Sequence, residues 1–113
     1  MRLSGRSAII TGASSGLGRA MARCFAAEGA AVTIADVDPT PREGGAPTLE
    51  VISEAGGQAQ YVTCDVTDWD AVDALFTDHV ARHGRLDIMV NNAMTTQFSP
   101  VPLLATTEAQ WRA

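Results

Sequence analysis

The sequence predicts an α/β fold on a doubly wound parallel sheet, incomplete at about four strands, three helices and the start of a fourth. Three observations predict it. Short apolar runs alternate with amphipathic stretches, a glycine-rich turn joins the first such pair, and polar clusters stand at the carboxyl ends of the apolar runs.

Ser7-Ala-Ile-Ile-Thr11 is short and apolar, as expected of a central parallel strand buried on both faces. It runs into Thr11-Gly12-Ala13-Ser14-Ser15-Gly16-Leu17-Gly18, and a helical pattern begins near Gly16. Leu17, Ala20, Met21, Cys24 and Phe25 fall on one helical stripe, Arg19 and Arg23 face out, and Gly29 is a natural stop. Ala31-Val-Thr-Ile-Ala35 reads as a second strand closing with Asp36, which completes one βαβ unit. Asp38 to Pro47, rich in proline and glycine, reads as an exposed loop with a solvated Arg42-Glu43 pair.

A second helix is expected over Thr48 to Ala55, stopping at Gly56-Gly57, and a third strand over Tyr61 to Cys64, ending at Asp65-Val66. Thr67 is expected to cap the third helix, with Asp70 completing the box, Val72, Leu75, Phe76 and Val80 as the buried stripe, and Gly84 as the end. Leu86-Asp-Ile-Met-Val90 is the expected fourth strand, running into Asn91-Asn92-Ala93. Met94 to Ala105 follows as a loop with two prolines, and Thr107 to Gln110 looks like a capping box opening another helix. That helix has barely one turn before Ala113, and costly nucleation needs length to offset it, so the chain reads as cut off.

At 113 residues the chain is one domain, large enough to bury a core. Its formal net charge of −5 argues against a nucleic-acid or anionic-membrane surface, although a local positive site at a helix end stays possible. Cys24 and Cys64 have no metal or redox spacing and read as buried free thiols, and no apolar run reaches transmembrane length. A cytoplasmic protein without metal is expected. His79 and His83 share a helix whose stripe turns toward the core, so packing roles are expected of them.

A strand, a glycine turn and a helix make a phosphate cradle. The first helical amides lack intrahelical acceptors and carry the positive end of the dipole, so a pyrophosphate can settle there. Gly12 permits the sharp turn, Gly16 lets the backbone approach the phosphates, and Gly18 lets helix and strand pack closely. A loop with an ordinary N-cap is the alternative. Asp36, 18 residues beyond Gly18, stands where a doubly wound fold brings a carboxylate to an adenosine ribose, or else it caps the next turn. Against a 2′-phosphate it would repel: two unit charges about 4 Å apart at an effective dielectric near 20 cost about 4 kcal/mol. Ser15 and Val37 offer no rescuing cation, so NAD is expected over NADP.

In this order, Thr-Gly-x-x-x-Gly-x-Gly at Thr11 to Gly18, the strand-end Asp36, Cys64-Asp65-Val66-Thr67 and Leu86 to Ala93 resemble the short-chain dehydrogenase/reductase family over essentially the whole chain. The resemblance implies a Rossmann-like, NAD-binding domain over 1–113, ending before the catalytic half. It implies that Gly12, Ser14, Ser15, Gly16, Leu17 and Gly18 surround the pyrophosphate and its riboses. Asp36, followed by Val37, would hold the adenosine ribose, Asp65 and Val66 the adenine, and Asn92 with Ala93 the edge of the groove. Met94 stands where the family usually has glycine. The resemblance also implies a homo-oligomeric whole protein.

Family members transfer hydride with a Tyr-x-x-x-Lys pair and an upstream serine, the lysine lowering a tyrosine pKa that is otherwise near 10. Here all eight cations are arginine and the single tyrosine is Tyr61, so that pair is not in this sequence and no catalytic residue is assigned. The leading expectation is the NAD-binding portion of an oxidoreductase acting on an alcohol or carbonyl, inactive alone. The alternatives are a non-catalytic nucleotide-binding or regulatory module complete at this length, and a half that pairs with a complementary chain.

Overall fold

In the computed structural model, which describes residues 1–93, the elements run β1 (Ser7–Thr11), α1 (Gly16–Ala27), β2 (Ala31–Asp36), α2 (Thr48–Glu54), β3 (Gln58–Thr63), α3 (Trp69–His83) and β4 (Ile88–Val90). Met94, the loop expected after it and the helix expected at Thr107 to Gln110 lie outside the described residues. All strand pairs are parallel, in the order β3-β2-β1-β4. The chain thus steps outward from β1 to β3, then returns to place β4 on the other side of β1. That reversal is the switch point at which a doubly wound sheet opens a crevice beyond its carboxyl ends.

All five residues of β1 are buried, because β1 is paired on both edges and covered on both faces. Its alternation divides the core: Ile10 joins Val32, Ile34, Ala22, Ala26 and Ile52 beneath α1 and α2, while Ile9 joins Ala35, Cys64 and Leu75 beneath α3. Each fully buried Ile or Leu contributes about 2 kcal/mol of transfer free energy.

The face that α1 turns to the sheet is made of its smallest residues. Gly18, Ala22 and Ala26 are buried and Met21 and Phe25 flank them, whereas Leu17, Ala20 and Cys24 are exposed, against the expected stripe and the expected buried thiol. The helix lies too near the sheet for larger side chains, so size overrides hydrophobicity at the contact. Gly29, at φ +95°, ends the helix as expected.

The cap of α3 also differs from expectation. Asp68, not Thr67, caps it, its Oδ1 accepting from the amides of Asp70 at 3.0 Å and Ala71 at 3.3 Å. Thr67 is unavailable because its amide and hydroxyl both donate to Asp65 Oδ1, at 2.9 and 2.7 Å. Leu75 is buried as expected, but His79 is the other buried position of the helix and Val80 is left 44% exposed.

β3 begins at Gln58 rather than Tyr61, in register with all of β2 from Ala31↔Gln58 to Asp36↔Thr63. Gln58 and Gln60 conceal this strand in the sequence, yet Gln60 Nε2 donates to the buried Thr33 Oγ1 at 2.8 Å. β4 is shorter than expected, Ile88–Val90, although the Asp87 amide still donates to the Ser7 carbonyl at 3.1 Å. The Asp87 carboxylate also accepts the Ser7 amide at 2.9 Å while the Ser7 hydroxyl donates to the Arg85 carbonyl at 2.6 Å, which ties the two strands at their amino ends.

His79 is fully buried, its Nδ1 2.8 Å from Thr33 Oγ1 and its ring 4.5 Å from that of His83. Burial, and then the neighbouring His83, push its pKa below the ordinary 6.5, with Asp87 opposing, and burial followed by Arg82 lowers His83 likewise. The folded state therefore favours the neutral rings, and the stability they give is complete above pH 6.5 and lost as pH falls through the lower folded values. The melting temperature should fall between pH 7.5 and 5, and His79→Gln should flatten that slope in a thermal-denaturation series.

Candidate functional site

The three glycines of the turn meet different constraints. Gly12 has φ +66°, and a Cβ there would stand 3.0 Å from Ala93 Cα and 3.1 Å from Asn92 Nδ2. Gly18 is helical, but a Cβ would overlap the Gly12 carbonyl oxygen and reach 2.5 Å from Asn92 Nδ2. Gly16 has φ +55° and nothing within 4 Å of its would-be Cβ, so its front is open. Two glycines let protein parts approach one another, and the third leaves space for something else.

Thr11 gathers the carboxyl ends of β1 and β4. Its hydroxyl donates to the Val90 carbonyl at 3.3 Å and accepts the amides of Asn92 and Ala93, each at 3.0 Å. Asn92 Nδ2 donates to the Gly12 carbonyl at 3.3 Å, so Asn92 and Ala93 stand against the glycine turn. The positioning role of Thr11 was not read from the sequence, although its place before Gly12 at a strand end was the available signal. A crevice of about 200 Å³ opens here, lined by Thr11, Asn91, Val66, Trp69 and Phe76 among others.

Asp36 reaches the same turn from β2. Its Oδ2 accepts the Ser14 amide at 3.1 Å and its Oδ1 the Val37 amide at 2.8 Å. Ser14 is buried with its hydroxyl unpartnered among the described residues, and it borders a larger cavity, about 380 Å³, under the β2–α2 loop. Thr48, also missed in the sequence, holds that loop's far end by donating to the Ala13 carbonyl at 2.8 Å. Asp65 and Val66 lie past β3 and make no bond to the turn: Asp65 is engaged by Thr67, whose hydroxyl and amide lower its pKa. Leu17, Val37 and Val66 nevertheless share one trait, being apolar yet 69, 64 and 45% exposed. Bare apolar side chains at the carboxyl ends of a sheet suit the faces of a bound ring.

The Arg42-Glu43 pair is not merely solvated. The Arg42 amide donates to Ser15 Oγ at 2.8 Å, and Glu43 Oε2 accepts the Gly16 amide at 2.9 Å. That amide bond is the main cause holding the Glu43 carboxyl below the usual range, with Arg19 a lesser one. The sequence signal is the absence of an acid in the first turn of α1, and with no side-chain cap bond in the structure its open amides can take an acceptor from elsewhere.

The donor set fits an anionic, ring-bearing ligand: a helix start with an open glycine, a buried unpartnered hydroxyl, a carboxylate for hydroxyls and an apolar rim. No three His, Cys, Asp or Glu side chains gather to hold a metal among the described residues. Gly18→Ala should lower unfolding free energy by about 2 kcal/mol through overpacking against backbone. Gly16→Ala should cost about 1 kcal/mol, the backbone strain alone. Urea denaturation of the two variants measures the difference.

The family model described as short chain dehydrogenase matches residues 6–113. A 3beta-hydroxysteroid dehydrogenase of Mediterraneibacter gnavus is 44% identical over 85 residues, covering 75% of this chain and 30% of that protein. Among solved structures, a hydroxysteroid dehydrogenase from Escherichia coli superposes with TM-score 0.80 at 35% identity, covering 98% of this chain and 45% of its own. A metagenomic short-chain oxidoreductase in complex with NADP superposes with TM-score 0.77 at 37% identity, covering 99% of this chain and 49% of its own. The chain spans 30 to 41% of the length of the first curated relatives it matches. With the switch-point crevice, the glycine turn and this match over nearly its whole length, the chain belongs to the short-chain dehydrogenase/reductase family.

Proposed function

We propose that this chain is the NAD-binding portion of an oxidoreductase that, as a whole protein, passes hydride between NAD(H) and an alcohol or carbonyl substrate. The observation that carries the reading is the Asp36 carboxylate beside the glycine turn. Each of its oxygens accepts one backbone amide, from Ser14 and Val37, and each keeps lone-pair capacity for a ribose hydroxyl. A 2′-phosphate would instead meet its charge at close range, with neutral Ser15 and Val37 flanking. One structural relative was solved with NADP, so the preference for NAD rests on Asp36.

When bound, the nicotinamide supplies the hydride chemistry. The chain's own residues bind and orient. Gly16 and the start of α1 face the pyrophosphate, and Gly12 and Gly18 keep the turn tight. Asn92 and Ala93 wall the groove, Leu17, Val37 and Val66 offer apolar surface, and Asp65 stands toward the adenine. Tyr61 does not serve as the base: its hydroxyl donates to the Asp36 carbonyl at 2.8 Å, and burial, with Asp36 and Asp38 adding, raises its pKa. With no lysine in the sequence, proton transfer falls to residues outside these 113. No helix among the described residues is long and apolar enough to cross a membrane. The family resemblance supports a cytoplasmic homo-oligomer for the whole protein.

Calorimetry should find NAD bound at least tenfold more tightly than NADP, and Asp36→Ala should narrow that gap by weakening NAD and admitting NADP. Equal affinities in the unsubstituted protein would overturn the reading. Purified as 113 residues, the chain should reduce no NAD with any alcohol, and turnover followed by NADH absorbance would assign catalysis to residues present here.

A further inference from the structure

Resting on the assignment of the glycine turn to a pyrophosphate, we propose that the Asp38–Pro47 loop is a built-in competitor for the cradle, with the Glu43 carboxylate seated where a ligand phosphate must sit. Two bonds strap this loop to the turn across 27 residues of sequence: Glu43 Oε2 accepts the Gly16 amide, and Ser15 Oγ accepts the Arg42 amide. Glu43 is itself exposed, so burial does not hold it there. The bond to an unclaimed helical amide does.

Both partners of the strap are groups that the cofactor reading needs. Ser15 is the N-cap of α1, with extended φ −143° and ψ 161°, yet its side chain makes no cap bond and its Oγ accepts the Arg42 amide. A phosphate cannot share the Gly16 amide with a carboxylate, since two like charges at contact distance repel in any local dielectric. The strap must therefore leave when a pyrophosphate arrives, and its departure frees Ser15 to cap the helix or to meet the ligand.

Pro41 is buried and Arg42 to Ala46 are exposed, so the part free to leave is the exposed stretch that carries Glu43. The Thr40 amide bonds Asp38 Oδ1 at 2.8 Å and the Gly44 amide bonds the Pro41 carbonyl at 3.1 Å, so the loop's first half keeps its own shape. Gly44 and Gly45, at φ +88° and +94°, follow Glu43 as the joint. The strap is selective as well as inhibitory: it opposes every ligand that brings phosphates to α1 and leaves adenosine, which brings none, unopposed.

The test compares Glu43→Ala and Glu43→Gln with the unsubstituted protein, using NAD and adenosine affinities by calorimetry and Gly16 amide exchange by nuclear magnetic resonance. Glu43 is exposed, so both variants should fold. Glu43→Ala should bind NAD roughly fivefold more tightly and adenosine unchanged, with faster Gly16 exchange in the free protein, and Glu43→Gln should fall between. Unchanged NAD affinity overturns the strap alone, leaving NAD binding in place. Tighter NAD with unchanged Gly16 exchange also overturns it, by reducing the effect to charge repulsion at a distance. No NAD binding in any of the three proteins overturns both the strap and the reading on which it rests.

Discussion

The contact on which the rest of the structure depends is the near approach of α1 to the end of β1, at Gly18 and the Gly12 carbonyl. No side chain fits between them. Because the helix starts so close to the strand, its axis is fixed over the sheet, its first amides emerge beside the switch point, and Asn92 can reach the Gly12 carbonyl from β4. One steric condition thus sets the cradle, its wall and the small-residue face of Gly18, Ala22 and Ala26 together. It also explains why Leu17 points away from the core: the near face has no volume for it, and it remains on the rim.

The electrostatics of the site run against the charge of the chain. With a net charge of −5 and no lysine, an anion site here draws its positive potential from backbone amides and the helix dipole rather than from side chains. That source is fixed in place and costs no side-chain entropy, but it is weak enough for one nearby carboxylate to matter. Glu43 takes the amide of Gly16, while Asp36 accepts the amides of Ser14 and Val37 and, on the proposed reading, meets hydroxyl donors rather than phosphates. Two carboxylates a few residues apart in sequence therefore take opposite parts.

Much of the fold was legible because strands buried on both faces announce themselves. β1, the order of elements and the glycine stops at Gly29 and Gly84 follow from local rules that nothing in the tertiary structure overrides. Most of the misreadings depended on a partner distant in sequence, and the cap of α3 on one two residues away. Gln58 and Gln60 look unlike a strand until β2 supplies a ladder and Thr33 an acceptor. Thr67 looks like a cap until Asp65 captures its hydroxyl, and Cys24 looks buried until α1 is seen to lie on alanines. At the candidate site, the glycines and Asp36 could be located from spacing alone. Thr11 and Glu43 could not be understood so, because their roles consist of bonds to Asn92, Ala93 and Gly16 formed only on folding.

The wall of the crevice has a different physical basis from its floor. β1 is held by burial on both faces, whereas Ile88, Met89 and Val90 of β4 are only half-buried and β4 is an edge of the sheet among the described residues. Its position is secured by polar clamps at both ends. Ser7, Arg85 and Asp87 hold the amino end, with Asp87 kept ionised chiefly by the Ser7 amide and also by Arg85 and Arg6, while Thr11 holds the carboxyl end. Hydrogen bonds are directional where burial is not, so this arrangement fixes the register of Asn92 and Ala93 against the turn more closely than three half-buried side chains could. A short strand with little apolar area can then carry a site wall, provided that the strand beside it supplies the donors and acceptors, as Ser7 and Thr11 do at the two ends of β1.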